Sequence, residues 1–203
     1  KFDLYYAPNI VKINSLNVLR GASGSGKSTY LKALSGNLDV RKNTFNLKDL
    51  NNKSIKDISF EELYPSIFYQ NQYYNLLPLT VLENIRLLNK NASLEYIKEM
   101  MKLFCIFETT NLSNNQLLEL DLESKPNFLS GGEAQRICLV RNFISPFPII
   151  LLDEPTSALD ITTTRKIIKS IEKLSKNKTI IVSTHEDEFN KVASTIFELN
   201  SPN

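Results

Sequence analysis

The stretch GASGSGKST, Gly21 to Thr29, constrains this chain more than any other feature. It carries the spacing G-x-x-x-x-G-K-[ST], with Gly21, Gly26, Lys27 and Ser28 at the defining positions. An apolar run, LNVLR, precedes it, and a helical pattern with Leu31 and Leu34 follows, ending near Gly36. Glycines at this spacing let a loop wrap so that several backbone N–H groups point at phosphate oxygens. The helix that starts near Lys27 aims its positive dipole end at the same anion. Ala22, Ser23, Gly24, Ser25 and Thr29 complete the predicted cradle. Lys27 is placed to reach β- and γ-phosphates, and the Ser28 hydroxyl to ligate Mg²⁺.

The rest of the chain fits a sheet built around that loop. PIILL and KTIIVST read as strands, the first as one buried on both faces. TTTRKIIKSIEKLSK has helical spacing at Ile167, Ile168, Ile171 and Leu174. HEDEFNKVA reads as a short helix, and GGEAQRICLVRNFI as a longer one stopped by Pro146. Strand, loop, helix, strand, helix, strand predicts an α/β fold with a parallel sheet flanked by helices. The stretches FDLYYAP, NIVKI and LNVL, and the strand-and-turn signals over 37–72, predict smaller β structure at the N-terminal side. Residues 81–120 read as mostly helical, with LEYIKEMMKLF the clearest amphipathic stretch. The expected organisation is one domain over 1–203. Residues 1–72 and 146–203 form its core and β subdomain, and 73–145 form an inserted helical lobe.

Acidic groups complete the chemistry. PIILLDEP ends an apolar strand on Asp153 and Glu154, at the edge where open α/β sheets bind ligands. Asp153 is a candidate for holding Mg²⁺. Glu154 is a candidate general base for an attacking water. The single histidine, His185, follows the strand TIIVST at the same kind of edge, where it could hydrogen-bond a phosphate or that water.

Composition excludes several alternatives. A net charge of +2 in 203 residues gives no reason to expect nucleic acid as a partner. The two cysteines, Cys105 and Cys138, lack metal-ligand spacing and read as buried reduced thiols. No apolar run approaches the roughly 20 residues that span a bilayer. No leader pattern opens the chain, and its first residue is Lys1, which fits a trimmed start and a cytoplasmic location.

These motifs closely resemble those of the ATP-binding cassette (ABC) ATPases, over about residues 2 to 200. GASGSGKST resembles their Walker A motif, LSGGE (Leu129 to Glu133) their signature, and IILLDE their Walker B. SALD, Ser157 to Asp160, looks like their D-loop, and His185 like their switch histidine. The resemblance implies a P-loop NTPase core with an N-terminal antiparallel β subdomain and an inserted α-helical lobe. It implies ATP and Mg²⁺ as ligands, with Ser28, Asp153 and a lobe-linking glutamine at the metal. Gln70 and Gln72 both compete for that last role. TVLENI begins at Thr80, eight residues after Gln72, and Leu63 and Ile67 precede at exporter-like spacing, so Gln72 is preferred. An aromatic that stacks on adenine is implied before Walker A. Tyr6 is chosen over Tyr5, and a tyrosine packed in a small sheet is the competing reading.

The resemblance further implies that two cassettes pair head to tail around two ATP molecules. Ser130, Gly131, Gly132 and Glu133 of one subunit would close over the γ-phosphate held by the other. Ser157 and Asp160 would couple the two sites. The pair would drive a transmembrane transporter subunit or domain from the cytoplasmic face of a membrane, with export slightly favoured by LNNKSIKDISFEEL. A cassette without a membrane partner, such as an iron–sulfur assembly ATPase, is the alternative. Relatives carrying a long coiled coil do not fit, because the interval from Thr29 to Leu129 is only about 100 residues and shows no sustained heptads.

Overall fold

The computed structural model describes residues 11–38, 66–106 and 129–199. They form two compact units. The first comprises residues up to Asn71, Phe147–Glu154, and Glu172 onward. The second comprises Gln72–Pro146 and Pro155–Ile171.

Among the described residues the first unit is built on five strands, β1 (Leu16–Gly21), β2 (Ile67–Gln70), β3 (Ile149–Asp153), β4 (Thr179–Ser183) and β5 (Thr195–Leu199). They lie in the order β2-β3-β4-β1-β5, and every neighbouring pair is parallel. Central strands of such sheets are apolar without alternation. Accordingly β4 is buried at every residue and β3 at all but the first. Edge strand β5 keeps the period of two, with Phe197 and Leu199 inward and Ile196 and Glu198 outward.

Helix α1 (Lys27–Leu34) covers one sheet face. Its Tyr30, Leu31 and Leu34 join Leu19, Leu151, Ile181, Phe197 and Leu199 in one cluster. Fully burying one such side chain contributes about 1.5–3 kcal/mol. Asn17, wholly buried within β1, stays satisfied. Its amide oxygen accepts from Lys12 N–H at 3.0 Å, and its NH₂ donates to the carbonyls of Lys12, Ser15 and Ile180. That network fixes the chain's entry into the strand that delivers the glycine-rich loop.

The second unit is helical. It contains α2 (Val81–Arg86), α3 (Leu94–Leu103), α4 (Gly131–Ile144) and most of α5 (Ile161–Ser175). Thr80 and Glu83 form a capping box at α2, and the Ser93 hydroxyl caps α3. Phe104 and Phe143 pack with ring centroids 5.1 Å apart. Asn89 donates to the carbonyl of Ile144 at 2.9 Å, which satisfies an end group of α4. The Ser170 hydroxyl on α5 donates to the Leu103 carbonyl at 2.7 Å.

One buried side chain organises the loop before α2. Asn84 is fully buried and accepts from Leu77 N–H at 2.8 Å. Its NH₂ donates to the carbonyls of Leu77, Leu79 and Thr80 at 3.0–3.2 Å. Removing such a side chain strands buried donors and acceptors, at about 1–3 kcal/mol each. Asn84→Ala is expected to lower Tm by roughly 4–10 °C, at 2–4 °C per kcal/mol for a domain of this size. Calorimetry checks this, and an unchanged Tm contradicts it.

The expected α/β architecture is present. The expected antiparallel β subdomain falls largely on 1–10 and 39–65, outside the described residues. The helical reading of 81–120 resolves into two short helices up to residue 106 and lies outside the described residues beyond it. The expected helix after His185 is a single 3₁₀ segment, Asp187–Lys191. Strand β5 has no counterpart in the sequence reading, because TIFEL is short and carries only two inward side chains, Phe197 and Leu199.

Candidate active site

The glycine-rich loop joins the end of β1 to the start of α1, as its sequence requires. Gly21 has φ of 154°, and a Cβ there would collide with the Ser25 hydroxyl and lie 2.8 Å from the Leu199 carbonyl oxygen. Gly26 sits at φ 92° as the N-cap of α1 and supplies no side-chain cap. The first N–H groups of that helix therefore have no side-chain partner from the cap. Ala22, Ser23, Gly24 and Ser28 are exposed, and Thr29 is half-buried. The buried Ser25 hydroxyl oxygen has no partner among the described residues. Uncapped helix N–H groups, an orphaned hydroxyl and a cradle that a Cβ would fill all fit a polyphosphate.

Lys27 is buried, yet its ammonium faces three acceptors. It donates to the carbonyls of Gly21 at 2.9 Å and Ala22 at 3.1 Å. Its third neighbour is His185 Nε2 at 3.1 Å. Lysine only donates, so in this contact Nε2 accepts and Nδ1 carries the proton. With the other tautomer, Nε2–H faces Glu154 Oε1 at 3.5 Å. The structure thus brings Lys27, His185 and Glu154 to one place.

Glu154 has a left-handed backbone, φ 49°, unusual for a residue with a side chain. Its N–H donates to the Ser183 carbonyl at 2.9 Å, which holds that conformation. Strain of this kind costs about 1–2 kcal/mol and gathers at functional positions. Burial pushes the carboxyl above its ordinary range, while His185 and Lys27 pull it back. Raised carboxyl groups suit proton abstraction near neutral pH.

Asp153 ends β3 and is buried. One carboxylate oxygen accepts from the Ser183 hydroxyl, the other from the Tyr69 hydroxyl at 3.3 Å. Carboxylate and hydroxyl oxygens, as Asp153 and Ser28 carry, are the type of donor Mg²⁺ takes beside phosphates. Tyr69 and Ser183 were absent from the sequence reading. The available signal was a serine in an otherwise apolar buried strand, directly before Thr184 and His185.

LSGGE lies in the second unit. Ser130 is the N-cap of α4 in a capping box. Its hydroxyl accepts from Glu133 N–H at 3.2 Å and donates to the Glu133 carboxylate at 2.9 Å. To donate to a phosphate, the hydroxyl must turn away from Glu133. The glycines have a reason inside this chain. A Cβ on Gly132 would lie 3.0 Å from the Ala158 carbonyl oxygen, and one on Gly131 would lie 2.7 Å from the Tyr74 hydroxyl. The helix start thus rests directly on the Ser157–Asp160 turn.

Gln135, another residue beyond the sequence reading, ties the two motifs. Its carbonyl accepts from Ala158 N–H at 3.2 Å, and its amide lies 3.5 Å from the Ser157 hydroxyl. Asp160 caps α5 by accepting from Thr163 N–H at 3.0 Å, and the Thr163 hydroxyl, followed by that N–H, holds its carboxyl below the ordinary range. Ser130, Gly131, Gly132, Arg136, Asp160 and, two residues beyond α3, Cys105 border a cavity of about 370 Å³.

The remaining candidates divide simply. Gln70 is buried at the end of β2, whereas Gln72 is exposed and opens the second unit. Tyr5 and Tyr6 lie outside the described residues. Cys105 and Cys138 are both buried and neither forms a disulfide, and burial pushes the Cys138 thiol pKa up.

The family model described as ABC transporter matches residues 11–157. The chain belongs to the ABC transporter family. Within that family it is an ATPase domain of the α/β P-loop type. It is 38% identical over 189 residues to the microcin-J25 export ATP-binding/permease protein McjD of Escherichia coli, covering 91% of this chain and 31% of that protein. A bacterial Atm1-family ABC exporter with ATP bound superposes with a TM-score of 0.77 at 26% identity, covering 93% of this chain and 32% of that one. The ATP-binding cassette MJ0796, as a dimer in a post-hydrolysis state with ADP and Pi, gives 0.69 at 29% identity, covering 95% of this chain and 84% of that one. The chain spans 31% to 54% of the length of the first curated relatives it matches. No helix among the described residues is long and apolar enough to cross a membrane.

Proposed function

We propose that this ABC ATPase domain hydrolyses ATP and, paired head to tail with a second cassette, drives transport through a membrane-spanning partner. The observation that carries the catalytic reading is the convergence of three side chains. Lys27 and Glu154 both contact one nitrogen of His185, at 3.1 and 3.5 Å. A phosphate-binding cation, a carboxylate and a hydrogen-bonding ring at one place are what γ-phosphoryl transfer to water requires.

The loop from Gly21 to Thr29 binds the triphosphate, and its N–H groups and Lys27 hold the β- and γ-phosphates. Lys27 exchanges its contacts with the Gly21 and Ala22 carbonyls for phosphate oxygens. Asp153, Ser28 and Gln72 would hold Mg²⁺. When bound, that ion neutralises charge on the phosphate oxygens. Glu154 takes a proton from the water that attacks the γ-phosphorus as the bond to the β-phosphate oxygen breaks. His185 hydrogen-bonds the γ-phosphate. Ser130, Gly131, Gly132 and Glu133 of the second cassette close over that phosphate, and Ser157 and Asp160 relate the two sites. Tyr6 stacks on adenine.

Export from the cytoplasmic face of a membrane is the direction adopted, supported by relatives named for export. Two measurements test the whole reading. The chain is expected to release phosphate from ATP only with a divalent cation, and a membrane-spanning domain is expected either fused to it in the full-length polypeptide or co-purifying with it as a separate subunit. A chain that binds ATP but releases no phosphate in the presence of Mg²⁺ contradicts the enzymatic part. A full-length protein that neither contains nor co-purifies with a membrane-spanning domain contradicts the transport part.

A further inference from the structure

We propose that Tyr69 and Ser183 are positioning residues that hold the Asp153 carboxylate in one orientation for its metal ion. The inference rests on the reading of Asp153 as a metal-binding residue. It adds two side chains from two different strands to the first unit's site.

The sheet register explains how they reach it. Asp153 on β3 pairs with Ser183 on β4, so the serine hydroxyl arises directly beside the carboxylate. On the other side, Tyr69 on β2 pairs with Leu151. Leu151 and Asp153 are two residues apart and share one sheet face. Tyr69 packs against the cluster containing Leu151, so its ring lies on that face. Its hydroxyl reaches forward to Asp153 Oδ2 at 3.3 Å, while Ser183 donates to Oδ1. Each oxygen of the carboxylate is thus held by one hydroxyl, Oδ2 from strand β2 and Oδ1 from strand β4.

The energetics make this arrangement consequential. Asp153 is 3% exposed and Ser183 is fully buried. A buried carboxylate without donors is costly, and groups that orient a metal ligand govern its affinity. Each oxygen keeps acceptor capacity beyond one hydroxyl. Two anchors fix the carboxylate plane and leave that capacity pointing in one direction.

The test uses Mn²⁺ as probe, read by electron paramagnetic resonance on the 203-residue chain with ATP present. Ser183→Ala is expected to weaken Mn²⁺ binding about tenfold, the lower end of what loss of such an outer partner costs. Tyr69→Phe, losing a longer bond, is expected to weaken it less, and the double variant more than either. Ser183→Thr, which keeps the hydroxyl, is expected to restore binding. ATP affinity measured with EDTA should stay unchanged in all of them, which a general loss of structure would not permit. If Ser183→Ala does not fold, Tyr69→Phe and Ser183→Thr decide. Should Asp153→Asn lose Mn²⁺ while both hydroxyl deletions bind it like the parent, the positioning role is wrong and the metal role of Asp153 stands. Should Asp153→Asn itself bind Mn²⁺ normally, the metal reading fails and this inference fails with it.

Discussion

Glu154→Gln is expected to lower ATP turnover by about 10²–10⁴-fold while leaving ATP binding intact. The amide keeps the size of the carboxyl and adopts the same backbone. The hydrogen bond from residue 154 N–H to the Ser183 carbonyl, which holds φ at 49°, involves no side-chain atom and survives. What disappears is the one group placed to accept a proton beside His185 and Lys27. The cradle of N–H groups and Lys27 are untouched, so the nucleotide still binds. The ATP-bound paired state should therefore accumulate, because the step that ends it is blocked. Phosphate release in a single-turnover assay, set beside ATP affinity, checks this. Unchanged turnover removes Glu154 from the role of base.

The second large effect concerns pairing. Ser130→Arg is expected to spare ATP binding by the single chain and to abolish ATP-driven association. Ser130 belongs to the second unit, whereas the phosphate loop belongs to the first. Ser130 is exposed, and its hydroxyl pairs with Glu133. Losing that N-cap costs only about 1 kcal/mol, too little to unfold a domain. The arginine instead places a long side chain where a neighbouring cassette's γ-phosphate must arrive. Association is measured by light scattering and binding by nucleotide fluorescence. Loss of binding in the single chain contradicts the in-trans role.

Much of this was legible in the sequence because backbone constraint and chemistry coincide in the same residues. Gly21 and Gly26 mark a loop that side chains would block, and Lys27 follows where the helix must start. IILL ends on Asp153 and Glu154 because a doubly covered strand leaves only its tip for charge. The hidden parts share a physical reason. Tyr69 and Ser183 act from neighbouring strands, and only the register reveals that they flank Asp153. Gln135 sits just beyond the signature's Glu133 and meets Ala158 through folding, not through spacing. Likewise Gly131 and Gly132 suggested an approaching ligand. Their neighbours Tyr74 and Ala158 show that close internal packing also demands glycine there. Edge strand β5 escaped because two inward side chains make too short a pattern to distinguish from a loop.

The central claim is that each nucleotide is held by the phosphate loop of one cassette and the signature of another. Mixing two crippled chains tests it directly. One carries Lys27→Ala, which damages the phosphate loop, and the other carries Ser130→Arg, which damages the signature. Both carry Glu154→Gln so that ATP is not consumed. Neither chain alone should associate with ATP. Their mixture contains one intact phosphate loop facing one intact signature, and ATP-dependent heterodimers should form between differently labelled chains, read by energy transfer. No energy transfer in the mixture, or ATP-driven pairing of the Ser130→Arg chain by itself, would contradict the account.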